Sequence, residues 1–596
     1  MNNSILKKSH ALLASIVNSP FFKKYYAALF CIALASFSIL IRVPDFERQG
    51  FRNSDATWRV LHTLNCYDET PVSVHKFLPI VTLGTPEDKW ISWGTSIPDQ
   101  YGNYYDTSFS PAGFVAPYLF MKALHIPISL MGLYAFNSLL LVLSFVFAAR
   151  LFQKLFQINK NYLWMITAVA YLLQNEVILG QGVTYWSQSL YQLIFLIQLN
   201  ILFSPYSHAK YVGVLFLTLV GAYTDWTGYC VAIGIALFYL YTDKTRWQGI
   251  VKAIGILIFA FLAFGLFCLH YLSVLNPSGF KTALKEQFLA NSVANNIPFL
   301  QLLDGYLNSF VILLFVTFYL ASLWFITRKS IKPFLAILKN HKWLFIVLIF
   351  ALSENIILMP YAVAHSFDTM KAILFILAFM FCSIEIMVLH LPDPELEVDS
   401  LRWVLCLVSV FLAMDLLKYK VANSPSLIYD NPELAVQKTI AEEINEKFDR
   451  ENSILAYDSE VNGYLSTTFD RGIYENLRLG QAVQIAANKE KRYAVALQKD
   501  FTYAFNDLAS INCILDLTDE NWTHGVLNSG SILLFAETPL TRSALLEQTP
   551  TTLVVDGREY PVTSVNVRPD GYIGITMADH ETALKFAYPA RFEIVY

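Results

Sequence analysis

The chain has 596 residues, of which 55% are hydrophobic and only 15% charged. Soluble globular proteins run nearer ~45–50% apolar and ~25% charged, so this balance excludes an ordinary soluble domain and points to a polytopic membrane protein. A formal net charge of −4 is too small to suggest a nucleic-acid partner.

The first 24 residues read as a cytoplasmic lead-in rather than a signal peptide. Their apolar stretch is short, and the longer run begins only after Lys23 and Lys24. From there the apolar runs predict about eleven membrane spans: Tyr25–Val43, Ile126–Ala149, Leu163–Gly180, Tyr185–Phe203, Tyr211–Tyr223, Trp226–Tyr241, Ile250–Leu272, Tyr306–Ile326, Trp343–Met359, Ala372–Leu391 and Trp403–Leu417. The fifth and sixth are short and joined by "TDWTG", so a re-entrant pair is an alternative there. With an inside N-terminus, about seventeen Lys and Arg fall in the predicted inner segments and three in the short outer loops. That asymmetry places the loop 44–125 and the tail after Lys418 outside the plasma (inner) membrane, which in a bacterial cell means the periplasm or its Gram-positive equivalent.

The loop after the first span is long and ordered in character. "RNSDATWRVLHTL" has helical spacing with Ser54 or Asp55 near its start, and "FSPAGFVAPYLFMKAL" suits a helix lying along the interface. Loops of this length are usually functional. The tail, 421–596, reads as an extracytoplasmic α/β domain. "NPELAVQKTIAEEINEKF" has helical spacing, "SILAYD", "YAVAL", "INCILDL", "SILLFAE", "TLVVDG", "GYIGITM" and "RFEIVY" read as strands, and "VDGREYPV" as a hairpin. No GxGxxG and no Walker loop supports nucleotide binding. A lid or docking role is the plain reading of this domain.

Seven cysteines show no CxxC or Cys/His metal spacing. Only Cys66 and Cys513 lie in polar segments, where one disulfide is conceivable.

Charged residues within or beside spans default to functional candidates. Most here collect towards the expected outer side: Glu176, Asp225, Glu354, His365, Asp368 and Lys371, with Glu385 and Asp415 as exceptions. Each has a plainer alternative. Asp225 is a good N-cap for the sixth span, Asp368 for the tenth, and Glu176 caps the third. Glu354 is harder to dismiss, because a carboxyl in hydrocarbon must be paired or protonated. His365 is either an interfacial histidine or, with Lys371, a phosphate ligand.

"NSDATWRVLHTLNCYDETPVSVHKFLP" and "YYDTSFSPAGFVAPYLF" bring a family into view. The layout resembles the GT-C superfamily of integral membrane glycosyltransferases, especially the protein-mannosyltransferase and aminoarabinose-transferase branch. Those enzymes carry an essential acid at the start of a juxtamembrane helix after the first span, and Asp55 stands there. They also carry a His- or Lys-Pro-Pro-Leu-type motif before the second span, and Pro111 is in register with it. Two departures matter: Ala56 replaces the second acid, and Ser110-Pro111-Ala112 replaces the basic residue and paired prolines. The resemblance implies a polyprenyl-phosphate sugar donor, a lipid, glycan or protein acceptor, and transfer on the outer face. Asp55 would be the general base. Arg59, His75, His365 and Lys371 are candidates for the donor phosphate, Asp225 and Glu354 for the sugar, with Tyr105 and Pro111 beside them. The leaving group already bears a phosphate, so no cofactor is expected, and the chemistry leaves room for a divalent metal without requiring one. A polysaccharide polymerase or ligase, and a transporter or lipid flippase, are the competing classes. The later outer loops lack arginine, against the first, and no inverted repeat is visible, against the second.

Overall fold

The computed structural model describes residues 20–43, 54–83, 98–205, 207–243, 245–293, 299–328, 341–350 apart from 342 and 345, 365–389, 394–422 and, discontinuously, 441–595. The lead-in up to residue 19, Glu354 with most of the ninth expected span, and most of the helix expected at 431–448 lie outside these residues. By contacts the chain forms two units. The first comprises 1–54, 110–269 and 288–428, the second 55–109, 270–287 and 429–596.

The first unit is helical. Its helices are α1 (Pro20–Leu40), then, after α2 (Ser54–Glu69) and α3 (Val72–His75) of the second unit, α4 (Ala112–Ala123), α5 (Leu130–Leu155), α6 (Lys160–Leu172), α7 (Asn175–Ile178), α8 (Ser187–Leu202), α9 (His208–Ala222), α10 (Thr227–Thr242) and α11 (Arg246–Leu272). After α12 (Pro277–Val293) come α13 (Phe299–Arg328), α14 (Ser366–Thr369), α15 (Ile373–Leu389) and α16 (Pro394–Ala422). Helices thus lie over ten of the eleven expected spans. Five described helices are long and apolar enough to cross a membrane, and a sixth is if the bent pair 160–172 and 175–183 counts as one.

Side chains set where these helices start. Ser129 accepts from the Gly132 amide at 3.2 Å before α5, and Ser207 from the Lys210 amide at 3.2 Å before α9, each satisfying a donor the first turn leaves open. Helix α5 packs on α6 and α8, α8 on α9, α13 on α15, and α6 on both α1 and α16.

The third expected span differs from its reading. Its helix stops at Leu172 and turns by 69° into α7 and a π-helical turn, Leu179–Val183. No proline lies at the break. Instead Gln174 accepts from the Val177 amide at 2.9 Å, and Asp415 accepts from the Asn175 amide at 2.9 Å. These two acceptors start a new helix where the old one ends. Glu176 therefore sits buried in the first turn of α7 rather than capping a continuous span.

The second unit holds α2, α3, α12 and two sheets. In the first sheet β1 (Ser453–Tyr457) lies parallel to β2 (Ile473–Tyr474) and β3 (Tyr493–Leu497), and β4 (Cys513–Asp516) is antiparallel to β3. Helix α17 (Gly463–Phe469) makes the connection from β1 to β2. The second sheet is antiparallel. It contains β5 (Val526–Asn528), β6 (Ser531–Phe535), β7 (Thr552–Val555), β8 (Arg558–Val567), β9 (Tyr572–Met577) and β10 (Phe592–Val595), in the order β10-β7-β8-β9-β6-β5. Buried Arg471 pins the first sheet, donating to the carbonyls of Phe448 and Ser453, both at 3.0 Å, and to Ser453 Oγ at 2.8 Å. Helix α2 is braced within this unit by the Glu69–Arg450 pair at 3.2 Å and by Thr467, whose hydroxyl donates to the Trp58 carbonyl at 3.4 Å.

Candidate functional site

In the first unit, six side chains from three separate stretches close a buried ring. Ser187, at the start of α8, donates to Asp225 Oδ2 at 2.9 Å. Asp225 Oδ1 accepts from the Thr227 amide at 3.0 Å. Thr227 Oγ1 accepts from Lys371 Nζ at 3.1 Å, and the same ammonium donates to Asp368 Oδ1 at 2.8 Å. Gln188 Nε2 reaches Asp368 Oδ1 at 3.5 Å, and Gln188 Oε1 returns to Ser187 Oγ at 3.2 Å. All six residues are buried.

Two carboxylates face one ammonium, so the ring carries a net negative formal charge. Buried charges persist when each is paired and its remaining hydrogen-bonding capacity is filled. Asp225 does cap α10, but its second oxygen belongs to the ring. Asp368 lies within α14, five residues before α15 begins, and its oxygen is spent on Lys371 and Gln188 rather than on an α15 cap. The carbonyl of half-buried His365 starts α14, accepting from the amides of Asp368 at 3.2 Å and Thr369 at 3.1 Å.

Helix α4 sits against this ring. Buried Pro111 occupies its N-cap position with φ −59°, the angle its ring enforces. Ser110 donates from Oγ to the Tyr223 carbonyl, and Tyr185 donates from its hydroxyl to the Gly113 carbonyl at 2.6 Å. A Cβ on Gly113 would stand 2.8 Å from the Ser187 Cβ. The glycine is what lets α4 approach the first residue of α8.

In the second unit, Asp55 lies in the first turn of α2 and Arg59 one turn later. Their side chains pair at 2.7 Å, with the carboxylate 43% exposed. The spacing is the i, i+4 geometry that puts two side chains on one helix face, and an acid in the first turn also meets the positive end of the helix dipole. Arg59 is therefore an Asp55 partner, besides any part it takes with a phosphate.

Arg59 also bears on a carboxyl that sequence reasoning did not single out, Asp106. This side chain is buried, and Oδ1 accepts from the Ser108 amide at 3.1 Å. Burial pushes its carboxyl above the usual range, and the positive charge of Arg59 acts in the opposite direction. Its own segment is tied down by the Asp106 amide donating to the Pro79 carbonyl at 2.8 Å and by Tyr271, whose hydroxyl donates to the Asp106 carbonyl at 2.7 Å. A short "YYD" in a polar loop carries no periodic signal that would have marked it.

His75 and Tyr105 are placed as framework. His75 is buried, stacks on Tyr67 with ring centroids 4.7 Å apart, and accepts the Phe77 amide on Nδ1 at 2.9 Å. Burial lowers its pKa to about 4, so near neutral pH it offers a phosphate no positive charge. Nearby, His62 bonds the Val81 carbonyl at 2.8 Å, and the Cys66 thiol lies 3.6 Å from His62 Nε2. Tyr105 pairs with Ile80 in an antiparallel bridge and donates to Asp99 Oδ2 at 2.8 Å. Asp99 also accepts the amides of Tyr101 and Asn103.

Glu385 and Asp415, the two acids expected away from the others, are structural caps. Glu385 accepts the Gln157 amide at 2.8 Å just past α5 and lies 3.1 Å from His341 Nε2, while Asp415 starts α7. Among the described residues, no group of three His, Cys, Asp or Glu is arranged to hold a metal ion.

The chain has a bent third span, a helix with an acid in its first turn after α1 and a further helix before α5, and this fold is similar to that of a solved structure. ArnT from Cupriavidus metallidurans, solved bound to undecaprenyl phosphate, aligns with a TM-score of 0.50 over 91% of this chain and 97% of its own, at 11% identity. The same protein in its apo state gives 0.49 over 93% and 98%, also at 11% identity. The oligosaccharyltransferase AglB from Archaeoglobus fulgidus, in complex with an inhibitory peptide and a dolichol-phosphate, gives 0.44 over 96% and 76%, at 11% identity. At such identity the likeness is one of fold, and it rests on the first comparison. No protein-family profile and no curated protein sequence matches the chain.

Proposed function

We propose that this protein transfers a sugar from a polyprenyl-phosphate donor to a lipid, glycan or protein acceptor at the outer face of the plasma membrane. The observation that carries the reading is Asp55: a solvent-reachable carboxylate in the first turn of the helix after span one, paired with Arg59, on a GT-C fold.

The chemistry follows from the groups. Asp55 takes the proton of the acceptor hydroxyl as that oxygen attacks the anomeric carbon. The bond from the anomeric carbon to the phosphate oxygen breaks, the electron pair leaves with the polyprenyl phosphate, and the configuration inverts. Arg59, paired with Asp55 at 2.7 Å, orients it. Lys371, within the ring of Asp225 and Asp368, is the cation assigned to the phosphate. Asp225 is assigned to the sugar hydroxyls, which a carboxylate accepts well. Glu354, His365 and Pro111 complete the candidate binding residues. The leaving phosphate needs cationic or hydrogen-bonding support as charge develops, and a metal can share that task without being required.

The same reading puts the N-terminus inside, counts eleven spans over 25–420, and places 421–596 outside as a lid or docking domain. Whether the sugar is a hexose or pentose lies with the binding pocket. The test is an assay of the purified full-length protein with labelled polyprenyl-phosphate sugars: transfer to an acceptor or to water, with release of polyprenyl phosphate, is expected. Absence of any release across such donors, from folded protein in bilayers, would overturn it.

A further inference from the structure

At the opposite ends of α8 and α9 from the buried ring lies a second polar site. Helix α8 has 16 residues, which at ~1.5 Å per residue separates its two ends by about 24 Å. There, two cavities of about 430 and 320 Å³ meet at Ser204. The larger is lined by Arg150, Lys154, Asn200 and Ser204, the smaller by Ser204, Lys210, Asp243 and Lys252.

The cations are held by neutral groups. Lys154 Nζ donates to the Asn200 carbonyl at 2.8 Å and to Ser204 Oγ at 3.2 Å, and Lys210 Nζ donates to the Ser204 carbonyl at 2.8 Å. Arg150 lies over the Phe147 ring, 5.9 Å from its centroid. Among the described residues, the acid lining these cavities is Asp243, paired with Lys252 at 2.9 Å. Among the described residues, Arg150, Lys154 and Lys210 form no ion pair. Three positive charges thus converge on a polar notch with a single acid, which is already engaged.

Aromatic neighbours bear on the class of ligand. Trp164 donates to Gln153 beside this notch at 2.8 Å, and Tyr211 donates to the Lys252 carbonyl at 3.0 Å. Tryptophan and tyrosine gather where hydrocarbon meets headgroups. Basic pockets between helices at that level suit anionic headgroups. We infer that the Arg150–Lys154–Lys210 notch binds the phosphate of an anionic phospholipid, at the ends of α8 and α9 opposite the buried ring. The inference is independent of the glycosyltransferase reading.

The experiment uses the full chain in neutral detergent, with native mass spectrometry of bound phosphatidylglycerol against phosphatidylcholine. Wild type should retain phosphatidylglycerol in preference by tenfold or more. The triple variant Arg150→Gln/Lys154→Gln/Lys210→Gln should lose that preference, and Arg150→Gln alone should reduce it about fivefold, as expected for one charge near a headgroup. Arg402→Gln, removing an exposed charge elsewhere, should leave it intact. An unchanged preference in the triple variant overturns the site; should that variant not fold, an unchanged preference in Arg150→Gln does so. An equal loss in Arg402→Gln would mean diffuse attraction and also overturns it. Displacement of phosphatidylglycerol by millimolar inorganic phosphate would mean a soluble-anion site and overturns the lipid.

Discussion

Lys371 and Asp368, three residues apart where a 3-10 turn joins α14 to α15, form an ion pair at 2.8 Å with side chains 0% and 3% exposed. The ammonium is shared with Thr227, 144 residues earlier in the chain. The pair therefore fixes the entry to α15 against the start of α10. Replacing Lys371 by Met takes the ammonium away from the buried Asp368 carboxylate. Breaking a buried pair from one side costs about 3–5 kcal/mol, so a marked fall in thermal midpoint is expected. Adding Asp368→Asn to Lys371→Met should recover part of that loss; a double variant no better than the single would argue against a coupled pair.

Asp55→Asn should behave in the opposite manner. The Asp55–Arg59 pair is exposed and of the i, i+4 kind, worth about 0.3–0.5 kcal/mol, so folding should hardly change. Turnover should fall by about 10²–10⁴-fold if Asp55 is the base. Near-normal transfer where chemistry limits the rate would remove that assignment and leave Asp106 or Asp225 as the carboxylate to test.

Acid should weaken the second unit as its buried histidines take up protons. His62 and His75 are held neutral by burial, each with its pKa lowered from 6.5 to about 4. A depressed folded-state pKa contributes stability above the unfolded value that is lost as pH falls towards the folded one. The window is thus about pH 6.5 down to 4, and each residue accounts for on the order of 3 kcal/mol across it. His62→Gln can still donate to the Val81 carbonyl. Its unfolding midpoint should depend less on pH in that window than wild type, and an identical slope would disprove the His62 contribution.

Gly113→Ala tests the approach of α4 to α8. The new methyl would stand 2.8 Å from the Ser187 Cβ and 3.2 Å from its Cα. Overpacking of this kind costs about 1–3 kcal/mol. Because Ser187 holds Asp225, donor affinity should fall together with stability. Wild-type stability and donor affinity would show that α4 yields freely.

Topology is checked by fusions. The distribution of Lys and Arg expects a C-terminal alkaline phosphatase fusion to be active in a bacterial host and a green fluorescent fusion to be dark. The reverse pattern would move the tail inside and refute outer-face transfer.

Interactions close along the chain were legible in the sequence. Apolar runs carry a helical signal within themselves: helices lie over ten of the eleven that were read, and five described helices, or six with the bent pair, are long and apolar enough to cross a membrane. Asp55 and Arg59 were visible as one turn of one helix. Tertiary structure decided what depends on distant partners. Asp225 and Lys371 stood out as charges in apolar surroundings, but their links to Ser187 and Thr227 span 38 and 144 residues, and Ser187, Gln188 and Thr227 are neutral residues of no distinctive pattern. The bend after Leu172 was hidden for the same reason. No proline or glycine lies at the break; besides the local Gln174, a carboxylate 240 residues away, Asp415, satisfies the first amide of the new helix. A sequence displays periodicity and charge, whereas which buried donor meets which acceptor is settled only when the helices pack.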